Sequence, residues 1–299
     1  MPPYCTTPAV LTLTLGATTL DLMDSNNGFR VEEVDLGYPN VREDMDNRAD
    51  QSGMADYTRL FADRAVTITG SIVPSPAGSR QKSMHALSPF LDPSARPVLT
   101  YQIDGDMVAR TMTLRASQVS APFNNPQVTA FQLGFKAGDP ASYDARVQTV
   151  VVTPSGPGNA GRVYPLTFNR TYPPLFPGSY ARTNNNGDLR VWPLLRFYGP
   201  MTTPVVTWIA LETNGNITNT FQFLPGFLIN AGTYVEVDCR RRTATLNGVP
   251  TASVYQNIYT LGLVWPSIPP GSYTQWSLSA SNVSNVSQMD VVWQDAYLL

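Results

Sequence analysis

Histidine is almost missing: His85 is the only one among 299 residues. A histidine-based metal centre needs several imidazoles, and a Ser-His-Asp set would rest wholly on His85. Its ordinary place is the surface or packing side of a helix. Charge is sparse as well, at 14% of residues, and Lys82 and Lys136 are the only lysines. With a net charge of −2 there is no broad basic field to hold nucleic acid. Cysteine is limited to Cys5 and Cys239, far apart and too few for a disulfide framework. Both are expected as free thiols. No run of 18 apolar residues exists, so no membrane-spanning helix is expected. The opening MPPYCTTPAV has neither a basic stretch nor an apolar one, unlike a secretory signal. The chain is therefore expected in the cytoplasm where it is made, unless lysis frees it. GxSxG, HExxH, CxxC and P-loop motifs are all absent. Neither enzymatic activity nor a cofactor or metal is expected.

Proline and glycine are abundant, at 26 and 21 residues, alongside 42% hydrophobic residues. Many short strands with frequent corners produce such a composition, and long helices do not. The clearest stretch runs from Leu224 to Tyr273. Ala231-Gly232 marks a turn, and Tyr234, Glu236 and Asp238 alternate with Val235 and Val237. Cys239 to Arg242 forms a polar corner, whose arginines are either a solvated hairpin end or a phosphate clamp. Thr243 to Leu246 alternates again, and Asn247-Gly248 is a strong hairpin signal. Pro269-Pro270-Gly271 makes a rigid corner.

Upstream, Val10–Leu15, Thr19–Met23, Phe29–Leu36 and Arg64–Val73 read as strands. Arg42 to Met54 carries six charges in thirteen residues (Arg42, Glu43, Asp44, Asp46, Arg48 and Asp50). It cannot bury itself and should be an exposed loop or protruding hairpin. Ser79 to Leu91 reads as one helix, capped by Ser79, with Met84, Leu87 and Leu91 on one stripe. Pro97–Ile103 and Met107–Val119 should pair around Asp104-Gly105-Asp106, and Gln127–Lys136 alternates. The carboxylate pairs Asp44/Asp46 and Asp104/Asp106 sit on turns without the rest of a calcium loop.

Beyond Ala141 the periodicity drops, and Pro154 to Asn159 has linker composition. Tyr164-Pro165, Tyr172-Pro173-Pro174 and Phe176-Pro177-Gly178 then suggest an extended strap. Further strands follow at Val205–Leu211, Ile217–Phe223, Ser277–Ala280 and Met289–Tyr297. Periodicity alone implies antiparallel β structure in two sheets.

Several motifs occur in an order that resembles the siphophage distal tail proteins. They are Asp56-Tyr57-Thr58 through Phe61 and Arg64 to Thr67-Ile68-Thr69-Gly70-Ser71-Ile72, then Phe135-Lys136-Ala137-Gly138-Asp139-Pro140. Asn185-Asn186-Gly187-Asp188 with Pro193, Gly199-Pro200 and Pro204 comes next. Ala231-Gly232 with Asp238, Asn247-Gly248 and Trp265 to Pro270-Gly271 completes the series.

The resemblance implies a mainly β chain: a β-barrel-like belt domain with one short helix at 1–145, a linker and strap at 146–180, and a galectin-like β-sandwich at 181–299. It implies a structural virion protein at the phage tail tip, made in the host cytoplasm. There a homo-hexameric ring would join the tail tube to the tip around a channel for DNA. Its implied partners are the tail-tube protein, the tail-tip hub or tail-associated protein and the tape-measure protein, with host cell-wall carbohydrate as a contact of the sandwich. No membrane is involved. The charged segment (Arg42, Glu43, Asp44, Asp46, Arg48, Asp50) is the candidate ring interface. All five tryptophans fall in the second domain, mostly as core, with Trp192, Trp208 and Trp276 as candidate ligand-facing aromatics. A carbohydrate-binding module of a secreted glycosidase and a tail-tube protein are the alternatives.

Overall fold

The computed structural model describes residues 8–42, 45–47, 54–56, 60–73, 80–103, 105–121, 128–155, 180–212 and 215–298. The chain divides into two units, Met1–Ala145 with Tyr297–Leu299, and Arg146–Ala296.

In unit 1, period-two alternation becomes strands almost throughout. Strands β1 (Val10–Leu15), β2 (Thr18–Asp21) and β3 (Phe29–Asp35) come first. The charged segment Arg42 to Met54 and the residues just after it follow as β4 (Val41–Arg42), β5 (Met45–Asn47), β6 (Met54–Asp56) and β7 (Leu60–Phe61). Then come β8 (Arg64–Ile72), helix α1 (Arg80–Leu87), β9 (Val98–Gln102), β10 (Arg110–Thr113), β11 (Arg115–Ser120), β12 (Thr129–Ala137) and β13 (Ser142–Asp144). One sheet has the order β2-β1-β9-β10-β13, extended by the last strand described below, and a second has the order β11-β12-β8-β3. Leu11, Leu13, Leu99 and Met112 from the first sheet join Val66, Ile68, Phe131, Leu133 and Phe135 from the second in one buried cluster.

Among the described residues neither sheet closes on itself, so the expected barrel is instead two open sheets over a shared core. The reason lies in the segment expected as a single strand, Met107–Val119. It breaks at Leu114, whose side chain is fully buried and whose N–H donates to Pro97 O at 2.8 Å. The chain crosses from one sheet to the other at that point. The β9–β10 turn pairs Tyr101 with Arg110 as expected, and the Asp106 carboxylate meets Arg110 at 3.2 Å.

The helix is shorter than its stripe suggested. α1 ends at Leu87 and a 3-10 turn carries Ser88–Leu91, with Pro89 in its first positions. Leu87 and Phe90 are buried in the core, with Met84 and Leu91 packed against it. His85 is exposed. Ser79 lies outside the described residues.

Two residues of the Arg64–Ile72 motif show why these residue types are needed. A Cβ on Gly70 would stand 2.3 Å from Arg30 O and 2.9 Å from the Phe131 ring, so only glycine lets β3, β8 and β12 approach this closely. Arg64 is fully buried. Its Nη1 donates to Ser142 Oγ at 3.1 Å, and the Tyr101 hydroxyl donates to the same oxygen at 2.8 Å. Among the described residues Nε and Nη2 have no hydrogen-bond partner, and burial lowers the guanidinium's pKa. Asp139 turns the chain between β12 and β13. Its carboxylate accepts the Ala141 N–H at 3.3 Å and the Tyr143 hydroxyl at 2.9 Å.

Burial pushes the Tyr143 phenol up to about 12 and the Tyr101 phenol up as well. A phenol raised in the folded state stabilises below its unfolded value near 10, and that contribution disappears as pH climbs through the folded value. Unit 1 is therefore expected to lose roughly 2–3 kcal/mol between about pH 10 and pH 12. Tyr143→Phe should flatten this loss in alkaline melting curves; an unchanged profile would count against the burial of this phenol.

Unit 2 begins inside the segment expected as linker. β14 (Gln148–Val152) and β15 (Pro154–Ser155) are already strands of its sheets. The remaining expected strap, 156–179, lies outside the described residues. Then follow β16 (Ala181–Asn185), β17 (Leu194–Tyr198), β18 (Met201–Glu212), β19 (Gly215–Gln222), β20 (Leu228–Ile229), β21 (Tyr234–Asp238), β22 (Thr243–Leu246), β23 (Ser272–Ser281) and β24 (Gln288–Trp293). A last strand, β25 (Ala296–Tyr297), adds the edge beside β13 in the first sheet of unit 1. Unit 2 has one sheet ordered β14-β24-β17-β21-β22 and another ordered β15-β23-β18-β19, with β16 on β23 and β20 on β18. Leu195, Phe197, Val235, Val237, Met289 and Val291 point inward from the first, and Val206, Trp208, Trp276 and Leu278 are buried in the second. Phe197 on β17 meets Phe223, just past β19, edge to face at 5.4 Å. This is a two-sheet β-sandwich.

The β21–β22 hairpin is closed by the polar corner. Asp238 Oδ1 accepts the N–H groups of Arg240 and Arg241 at 3.0 and 2.8 Å. Cys239 in this corner is a buried free thiol, pushed well up by burial and by Asp238; Cys5 lies outside the described residues.

Asn247-Gly248 forms the turn after β22. Both φ values are positive, at 52° and 68°, and Val249 N–H closes the turn on Leu246 O at 3.0 Å. No full strand returns from it, only a bridge between Thr245 and Ser253, because Pro250 brings no N–H to a ladder. Asn247 instead holds the start of β21, its side-chain oxygen accepting Tyr234 N–H at 2.9 Å. Gly248→Val forces a branched residue to positive φ and is expected to cost on the order of 1–3 kcal/mol, confined to unit 2. Equal melting of variant and parent would contradict this turn.

Candidate functional site

Alternation on three adjacent strands gives the sandwich an outward face with its own composition. In the register of the sheet, Tyr198 stands beside Tyr234 on one side and Gln288 on the other. Two residues further along, Arg196 stands between Glu236 and Asp290. These side chains alternate with the buried set and point away from the core.

The two tyrosine rings lie 5.5 Å apart and tilted by 38°. Arg196 Nε donates to Glu236 Oε2 at 2.9 Å, which raises the guanidinium's pKa. Gln288 Nε2 donates to Asp290 Oδ1 at 2.9 Å. The Tyr198 phenol is raised by partial burial and then by the neighbouring Asp290 charge. At the tyrosine end the face opens into a groove of about 490 Å³. Gly199 and Gly232 are part of its lining, and Asn285 and Gln288 edge it with amides. Aromatic faces, amides and a fixed carboxylate–guanidinium pair make a surface suited to recognising polar, uncharged molecules with some apolar area.

The tryptophans expected to face a ligand are placed differently. Trp208 and Trp276 are 1% and 0% exposed and stack on each other at 6.2 Å. The Trp276 indole N–H donates to Thr183 Oγ1 at 2.9 Å inside the core. That expectation is corrected: both fill the sandwich. They lie opposite one another on β18 and β23, where the inner face demands large apolar volume. Trp192 is 44% exposed but does not line the groove. Trp293 is buried and donates to Asn184 O at 3.0 Å.

Among the described residues, the charged segment and its flanks, Val41–Phe61, pair only with each other. β4 pairs with β7 and β5 with β6, both antiparallel, so the segment is a hairpin rather than a loop. Arg42 is exposed on β4, and Asp46 lies on β5. Glu43, Asp44, Arg48 and Asp50 fall outside the described residues. Among the described residues no group of His, Cys, Asp or Glu is arranged to hold a metal ion.

The groove residues carried one sequence signal. Tyr234, Glu236 and Asp238 alternate to a common side of their strand. Nothing local places Tyr198, Asn285 and Gln288 beside them, because these residues come from strands far apart in sequence.

No family model matches the sequence, and no curated protein matches it. Solved structures do. The Dit protein (gp 19.1) of phage SPP1, described as a paradigm of the hub adsorption apparatus in phages infecting Gram-positive bacteria, superposes with a TM-score of 0.60. The match has 15% identity and covers 96% of this chain and 99% of that one. The chain has the Dit fold. A chain of the phage p2 baseplate, in its activated conformation with Sr, matches at 12% identity and a TM-score of 0.47, over 95% of this chain and 97% of its own. The Dit fold spans both units, as the order of motifs resembling distal tail proteins led one to expect.

Proposed function

We propose that this chain is a structural virion protein, the distal tail hub of a siphophage. In this reading unit 1 assembles into a closed hexameric ring that joins the tail tube to the tail tip and leaves a channel for DNA. Interfaces in such a ring are heterologous and close by rotation. Unit 2 sits outside the ring as the contact module for tip proteins and for the host wall. The partners are further copies of the chain, the tail-tube protein, the tail-tip hub or tail-associated protein and the tape-measure protein. The role is not enzymatic.

The observation that carries the reading is the extent of the Dit fold, 96% of this chain and 99% of the SPP1 protein. A carbohydrate-binding module would need only a domain like unit 2, and a tube protein mainly a domain like unit 1. The hairpin of Val41–Phe61 supports the ring: a charged segment whose described residues pair only within the hairpin suits contact with a neighbouring copy. Gold-labelled antibody against the chain is expected to decorate only the distal end of the phage tail. Labelling along the tube, or none on virions, would overturn the assignment.

A further inference from the structure

We propose that the outward face of the β24-β17-β21 strands binds a neutral oligosaccharide, with Tyr198 and Tyr234 as the platform and Gln288 and Asn285 as the amide contacts. The inference deepens the host-contact reading of unit 2 and rests on it only for the source of the sugar; the site rests on the geometry of one sheet.

A pyranose has an apolar C–H face and an edge of hydroxyls. Its partner must supply an aromatic surface next to groups that both donate and accept hydrogen bonds. Tyr198 and Tyr234 supply the surface, with rings 5.5 Å apart at 38°, which makes a shallow V rather than a closed stack. Side-chain amides donate and accept at once, and Asn285 and Gln288 edge the same groove. Its volume of about 490 Å³ falls within the range of about 300–1,000 Å³ typical of small-ligand sites. Gly232, where a Cβ would meet no atom within 4 Å, leaves its part of the lining without a side chain beside the tyrosines.

The polar groups are held in place before any ligand arrives. Gln288 is fixed on Asp290 at 2.9 Å, and Arg196 on Glu236 at 2.9 Å. Ordering these groups in advance reduces what binding must spend in conformational entropy. Charge selects the class of sugar. Glu236 and Asp290 stand against a single Arg196 in their row, so the face carries an excess of negative charge. Anionic polymers such as polyglycerol phosphate are repelled, and neutral hydroxyl-rich chains are accepted.

The test uses the full-length chain on an immobilised panel of neutral oligosaccharides, including cellotriose, maltotriose and chitotriose, with polyglycerol phosphate as the anionic probe. The strongest binder is then titrated by calorimetry. The expected result is binding of at least one neutral oligosaccharide at millimolar concentration or below, with none of polyglycerol phosphate. Tyr198→Ala and Gln288→Ala should each weaken it by about tenfold or more, and Trp192→Ala should leave it unchanged. Should Tyr198→Ala melt early, Tyr198→Phe keeps the ring and should keep most of the affinity. No binding to any neutral member, preference for the anionic probe, or binding indifferent to Tyr198 and Gln288 would each overturn the proposal. The titration is independent of oligomeric state, so its failure leaves the hub reading standing, and loss of the ring would leave the sugar site standing.

Discussion

Trp208→Ala is expected to cost unit 2 about 3–5 kcal/mol, the range for removing a large aromatic from a packed core. Trp208 is 1% exposed and stacks on Trp276 at 6.2 Å. Its β18 lies between β23 and β19. The cavity left behind is flanked by strands on both sides, so the sheet cannot collapse around it. Calorimetry should show the transition of unit 2 falling steeply while that of unit 1 holds. A loss below about 1 kcal/mol would mean that the indole faces solvent, and the sandwich core described above would be wrong.

Deleting residues 43–52 is expected to have the larger effect on assembly. Among the described residues the charged hairpin pairs only with itself, and Arg64–Ile72 keeps its ladders to β3 and β12 without it. Unit 1 should therefore stay folded while the proposed hexamer falls to monomers or small oligomers at micromolar concentration. Exposed charge pairs add little stability but fix register, and salt screens them. The parent ring should loosen as salt rises, and any oligomer left in the deletion variant should respond less. A deletion variant that remains hexameric, with the same salt response, would remove the hairpin from the interface.

How much of this was legible in the sequence depended on how local each signal was. The alternation of β8, β12 and β21 is a two-residue pattern, and it reappears as buried rows. The Asn247-Gly248 turn is likewise local, and both residues take the positive φ that its type requires. The return strand after it was not legible as absent, since a hairpin signal does not say what the next segment pairs with. The break at Leu114 was missed because alternation runs unbroken through it; only the position of Pro97 in space reveals the crossing. The motif residues Gly70, Arg64 and Asp139 prove to be requirements of the fold: close strand approach, a buried donor and a corner.

The candidate site was the least legible part. Aromatic content pointed to tryptophan, the largest platform, yet an inner sheet face absorbs large apolar side chains first, and Trp208 and Trp276 went there. The smaller Tyr198 and Tyr234 were left on the outside, and their adjacency depends on strand order in the β24-β17-β21 sheet, which no local pattern encodes.

The most direct test of the central claim is the mass of the purified full-length chain by sedimentation equilibrium at physiological salt. Six copies of a 32.7 kDa chain give about 196 kDa, and the account predicts a single species of that mass. A species that stays at 32.7 kDa across the accessible concentration range would contradict it.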